Sequence, residues 1–189
     1  MSALLHPKPV SVADYLEGER LSEVKREFFD GDVHATVGAS NRRNQVATNA
    51  TVALGIRLRG TNCRPFNSDT KVRIEMIDQT RFYYPDAMVV CDRNRGDDQW
   101  QDRPVLVVEV LSDSTRRVDL GEKRQAYLTI PTLKALLLVE SDVLAATLYR
   151  RGPSGGFLRE DYAGDGAVVP LPELGIELPL AEVFEGLDA

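Results

Sequence analysis

Cysteine and histidine are scarce in this chain, with two of each in 189 residues. Cys63 and Cys91 are too few for a disulfide framework and are expected to be reduced, buried thiols in a cytoplasmic protein. Two Cys and two His at scattered positions also fall short of what a zinc site needs. No run of about 18 apolar residues occurs, so no transmembrane helix and no membrane partner are expected. The opening stretch Met1-Ser2-Ala3-Leu4-Leu5-His6-Pro7 has no charged region followed by an apolar core, unlike a signal peptide. A basic excess is missing too, since 23 Lys and Arg against 29 Asp and Glu give a formal net charge of -6. That balance disfavours a non-specific nucleic-acid binder. Arg42-Arg43, Arg57 with Arg59, Arg116-Arg117, Lys123-Arg124 and Arg150-Arg151 can still form a local basic face. Pair by pair, solvated surface charge is the simpler reading.

What is present suits one folded domain. Hydrophobic residues make up 43% and charged residues 28% of the chain, ordinary values for a globular protein. Residues 1–10, with two prolines, read as an irregular arm, and 11–189 as a single domain. Ser11 can cap a short helix over 11–17, with Asp14 at its positive end. Strands are expected at 25–29 and 32–37 around Asp30-Gly31, a hairpin signal. A helix follows over 44–58, stopped by Gly60. Alternation over 70–76 puts Val72, Ile74 and Met76 on one face and Lys71, Arg73 and Glu75 on the other. A strand is expected over 82–91 and a loop over 93–102. The apolar run 104–112 reads as a strand buried on both faces. A helix over 118–128, a strand over 135–140, a hairpin of 143–150 with 157–162, a short strand at 167–169 and a helical turn at 180–184 complete the order. This is an α/β protein with a central mixed β-sheet flanked by helices.

Within the 104–112 strand stands one carboxylate, Glu109. A buried ionised carboxylate is costly unless a cation or a metal compensates it. Asp86, after Tyr84-Pro85, leads into a second apolar run. If the two strands are neighbours, Asp86 and Glu109 converge and can hold one Mg²⁺ or Mn²⁺, with the backbone carbonyl of Val110 as a further ligand. A metal so held polarises a phosphoryl oxygen and lowers the pKa of a bound water. Lys123 is the candidate to position that water and stabilise developing charge. Asp119, Lys123 and Tyr127 at i, i+4 and i+8 share one helix face, and Gln125 lies off it. Plainer readings stand beside these. Asp86 can merely turn a loop, Glu109 can pair with a buried cation, and Asp119 with Lys123 can be a surface pair worth a few tenths of a kcal/mol. Carboxylates are common, so the spacing of Asp86 and Glu109 alone is a weak signal.

Several stretches carry a more specific likeness: Glu27-Phe28-Phe29-Asp30-Gly31-Asp32, Tyr84-Pro85-Asp86, Val107-Val108-Glu109-Val110-Leu111-Ser112, Asp119-Leu120-Gly121-Glu122-Lys123 with Tyr127, and Ile130-Pro131 leading to Leu138-Val139. In this order the chain resembles the Uma-two family, the domain-of-unknown-function 820 group of the PD-(D/E)XK nuclease superfamily, from about residue 11 to residue 186. The resemblance implies a restriction-endonuclease-like core and metal-dependent phosphodiester hydrolysis. It makes Pro85-Asp86 the PD element and Glu109 the acidic element. The superfamily's lysine would fall at Leu111, where it is absent, and Lys123 looks like its spatial replacement. Glu27 matches a family glutamate and is a candidate additional site residue. Arg43 stands where relatives often have histidine. The resemblance makes DNA the expected substrate and a homodimer the expected assembly. The runner-up reading is a nucleic-acid-binding or regulatory protein on the same fold with little or no catalysis, motivated by the acidic balance and the displaced lysine. A third is an interaction or stress protein in which the sheet is scaffold. Fold alone does not decide among them.

Overall fold

The computed structural model describes residues 9–36, 38–113 and 115–187. The expected N-terminal arm lies almost wholly outside these residues, and so does Val37 at the end of the expected 32–37 strand. Helix α1, Val12–Leu21, begins where Ser11 caps it by accepting the Asp14 amide at 3.1 Å. Strands β1, Arg26–Phe29, and β2, Asp32–Ala35, are joined by Asp30-Gly31. Both turn residues have positive φ, 49° and 90°, which is what a two-residue hairpin requires. Gly31 is also fixed by space, because a Cβ there would lie 2.6 Å from that of Pro9.

Helix α2, Asn41–Arg57, starts three residues before the expected Asn44, since Ser40 is its cap and accepts the Arg43 amide at 3.2 Å. β3, Arg64–Asn67, was not legible in the sequence because Pro65 argues against a strand. Its edge position in the sheet tolerates the missing amide. The single strand expected over 82–91 is corrected: it is two strands, β5, Thr80–Tyr83, and β6, Ala87–Val90, in different sheets. Tyr84-Pro85-Asp86 breaks the ladder, because proline has no amide to donate. β4, Lys71–Glu75, is as expected. Lys71, however, is buried rather than solvated, its ammonium 3.1 Å from the Tyr84 hydroxyl and over that ring. Within the expected 93–102 loop a short β7, Trp100–Gln101, runs parallel to β4.

β8, Pro104–Leu111, and β9, Ala135–Glu140, form the parallel centre of a six-stranded mixed sheet ordered β11-β10-β9-β8-β6-β3. β10, Ala145–Arg151, and β11, Phe157–Ala163, make the expected hairpin. β12, Val168–Leu171, pairs with β13, Ile176–Pro179, a strand the sequence did not suggest, and α5, Leu180–Val183, follows. A five-stranded sheet, β2-β1-β5-β4-β7, packs beside the first. Alternation along β8 sends Leu106, Val108 and Val110 into a core shared with α2, α5 and β13. Val107 and Leu111 go into the opposite core, with Val72, Tyr83, Ala126 and Tyr127. Glu109 takes the second face by the same alternation.

The helix expected over 118–128 is a composite. α3, Arg116–Val118, runs into a π-helical turn, Asp119–Lys123, and then α4, Arg124–Leu128. The Arg124 amide reaches back five residues to the Asp119 carbonyl. The expectation of two reduced thiols is also corrected, since Cys63 and Cys91 form a disulfide. β3 and β6 are antiparallel with Arg64 opposite Val90, so the flanking cysteines meet side by side. Their separation of 28 residues conceals that pairing in the sequence.

Candidate active site

β6 and β8 are antiparallel neighbours, with Ala87 opposite Val108. The condition for Asp86 and Glu109 to converge is therefore met. Asp86 lies at the entry to β6, and its Oδ2 accepts the Val110 amide at 2.7 Å. Glu109 is fully buried, and its Oε1 accepts the Tyr127 hydroxyl at 2.6 Å. Lys123, also buried, donates to Glu27 Oε1 at 2.7 Å and lies 3.8 Å from both Glu109 Oε1 and Asp119 Oδ1. Glu27 also accepts the Tyr84 amide at 3.2 Å, which ties β1 to the break before β6. The structure thus brings Asp86, Glu109, Lys123, Glu27, Asp119 and Tyr127 into one neighbourhood. Gln125 is exposed, as its position off the shared face requires.

The π-helical turn carries two of these groups. Asp119 and Lys123, four residues apart within it, share one inward face, and both side chains are buried. Gly121, in the middle of the turn, has open space where a Cβ would be. Such turns often occur at functional sites.

Charge in this neighbourhood is nearly all buried, and burial dominates its acid–base behaviour. It pushes the Glu109 carboxyl up to about 8, with Lys123 pulling down against it and Asp86 and Asp119 adding to the rise. Asp119 is raised for the same first reason, again opposed by Lys123. Burial alone would lower the Lys123 ammonium, but Glu109, Glu27 and Asp119 outweigh it and hold the pKa above its ordinary value. Lys123 is therefore charged, and Glu109 is poised to change charge near neutrality.

Three buried carboxylate oxygens, Glu109 Oε2 and both of Asp119, accept no hydrogen bond. Orphaned buried acceptors of this kind need an explanation. Hard oxygen donors left without partners fit a divalent cation. Among the described residues no three His, Cys, Asp or Glu side chains form a ready-made metal cluster. An ion here would rely on few protein ligands and keep several waters, which suits Mg²⁺.

One residue was not read as part of the site. Arg43, in the first turn of α2, donates from Nη2 to Asp86 Oδ2 at 2.8 Å and from Nε to the Val110 carbonyl at 2.9 Å. Burial would lower its pKa, but Asp86, Glu109 and Asp119 raise it overall. In the sequence Arg43 is half of an Arg-Arg pair that reads as surface charge, and only the family resemblance marked its position, as one where relatives often have histidine. Only the Ser40 cap, which starts the helix early, would have placed it in the first turn.

Comparison with known proteins follows the same lines. The Uma2 family model, described as "Putative restriction endonuclease", matches residues 12–181. Two uncharacterised proteins of Synechocystis sp. (strain ATCC 27184 / PCC 6803 / Kazusa) are similar along nearly their whole length. One is 32% identical over 179 residues, covering 94% of this chain and 93% of its own. The other is 27% identical over 172 residues, covering 89% and 96%. A crystal structure from Anabaena variabilis ATCC 29413, described as that of "a putative nuclease belonging to DUF820", superposes with a TM-score of 0.71 at 16% identity. It covers 93% of this chain and 98% of that one, so the restriction-endonuclease-like fold is shared.

Proposed function

This chain belongs to the Uma2 family, and from that premise we propose that it is a metal-dependent endonuclease hydrolysing DNA phosphodiester bonds. The observation that carries the reading is the buried meeting of Asp86, Glu109 and Lys123, with carboxylate oxygens left unpartnered beside them. Asp86, Glu109 and the Val110 carbonyl are the proposed holders of Mg²⁺ or Mn²⁺, which when bound would polarise a phosphoryl oxygen and acidify a water. Tyr127 fixes Glu109 by bonding Oε1, which leaves Oε2 free to act as a ligand. Lys123 supplies a positive charge held in place by Glu27, suited to an attacking water or to the charge growing on the phosphate. Asp119 and Glu27 balance that charge in the absence of substrate. The proposal includes a homodimer, the commonest closed assembly.

Purified protein is expected to nick supercoiled plasmid in Mg²⁺ or Mn²⁺ and to stop when EDTA is added. Asp86→Ala is expected to lose at least about a hundred-fold in rate, the usual scale for removing one charge-stabilising group. Metal-independent nicking, or equal nicking by Asp86→Ala, would remove the proposal. Salt-sensitive DNA binding without cleavage in any metal would favour the runner-up, a binding protein on the same fold. Arg43, lying across Asp86, is the observation that keeps that second reading open.

A further inference from the structure

We infer that Arg43 is a resident cation of the metal site, one that a divalent ion must displace to bind. This rests on the proposed function, because it concerns the same ligands. Its guanidinium engages the two groups on the near side of the site, Asp86 Oδ2 and the Val110 carbonyl, through two of its nitrogens at 2.8 and 2.9 Å. The same Oδ2 already accepts the Val110 amide. Arg43 and a metal therefore compete for one carboxylate oxygen and one carbonyl.

The placement is not what helix α2 itself favours. Arg43 is the third residue of a 17-residue helix whose first turn holds no acidic residue. The positive end of a helix dipole disfavours a cation there. Burial of the side chain disfavours the charge as well, its exposure being only 12%. Both penalties are met by the contact with Asp86 and by the field of Glu109 and Asp119. Arg43 is thus held by the acidic site and not by its own element. The far side of the same cluster belongs to Lys123. Glu109 Oε2 and the Asp119 oxygens accept no hydrogen bond, and Asp119 is paired by charge with Lys123 at 3.8 Å. When a divalent ion takes Asp86, Arg43 is released on its long side chain. Arg43 thereby sets how much metal the site needs.

The test is Mn²⁺ binding to the full chain by calorimetry, with the electron paramagnetic resonance of bound Mn²⁺ as a second readout. Wild type is compared with Arg43→Gln and Arg43→Lys. Arg43→Gln is expected to bind Mn²⁺ at least about ten-fold more tightly. Arg43→Lys should fall between, since an ammonium lacks the fork that spans both oxygens. A clamp that merely shaped the site would make its removal weaken binding, so the direction separates the two roles. Unchanged or weaker binding by folded Arg43→Gln overturns the inference and leaves the proposed function standing. No binding by any of the three overturns both. Binding by the variants alone supports the inference and favours the non-catalytic reading of wild type. Should Arg43→Gln fail to fold, Arg43→Lys is read by the same criterion.

Discussion

Glu109→Gln is expected to abolish nicking and yet to make the metal-free protein more stable at pH 8. Glu109 is fully buried, and its carboxyl is pushed from 4.5 up to about 8 by burial first of all. Between those values the native state keeps a proton that the unfolded chain releases. Stability therefore falls as pH rises through that window and is unaffected by this group below it. Gln removes the ionisation while its carbonyl can still accept the Tyr127 hydroxyl. One pKa unit is worth about 1.4 kcal/mol. The pull of Lys123 on the charged form is already contained in that net rise, so stabilisation on the order of a few kcal/mol at pH 8 is expected, fading toward pH 4. Added Mn²⁺ should reverse the order, because binding stabilises only a native state that holds the ion. Thermal unfolding of both proteins from pH 4 to 8.5, with and without Mn²⁺, measures all of this. A variant less stable than wild type at pH 8 without metal would show that Glu109 is a structural ion-pair residue and not a strained ligand.

Lys123→Met is expected to cost stability and activity together. The ammonium donates to Glu27 and lies within 3.8 Å of oxygens of both Glu109 and Asp119. Removing the cation leaves three carboxylates facing one another. Breaking a buried pair by deleting one partner typically costs about 3–5 kcal/mol. The loss should be largest at high pH, where Glu109 is ionised, and should shrink as the pH falls and protonation removes the repulsion. Nicking measured where the variant is still folded should drop at least about a hundred-fold. Lys123→Arg should recover part of the stability, since the charge remains. It should recover little of the rate, since a planar fork does not replace a point charge. Urea unfolding at pH 5 and pH 8 gives the first quantity and plasmid nicking the second. Equal stability of Lys123→Met and wild type at both pH values would mean that the carboxylates are neutral without it.

How much of this was legible in the sequence depends on how local the signal was. The β8 and β9 strands were read nearly to the residue, because each is a continuous apolar run bounded by turns. The Asp30-Gly31 hairpin was read from two residues whose backbone preferences decide the turn. Glu109 drew attention by chemistry, since a charge in an apolar run demands a partner, whereas Glu27 was named only through the family resemblance. Other features depend on contacts between distant segments. The break at Tyr84-Pro85-Asp86 looked like the start of one strand, yet it transfers the chain between two sheets. The disulfide arises from the register of β3 against β6. The π-helical turn leaves no mark on the i, i+4 spacing, because Asp119 and Lys123 share a face in either helix. The resemblance marked the position of Arg43 but not its contacts, because its partners lie 43 and 67 positions away.

Asp86 and Glu109 are proposed as the carboxylates of a divalent-metal site. Calorimetric titration of Mn²⁺ into wild type and into the Asp86→Ala/Glu109→Ala double variant, with folding of both confirmed by circular dichroism, tests it most directly. Saturable binding by wild type at micromolar to millimolar Mn²⁺, absent from the double variant, is the expected result. Equal binding by the two, or none at millimolar Mn²⁺ by either wild type or Arg43→Gln, would contradict the site and leave Asp86 and Glu109 as partners of Arg43 and Lys123 alone.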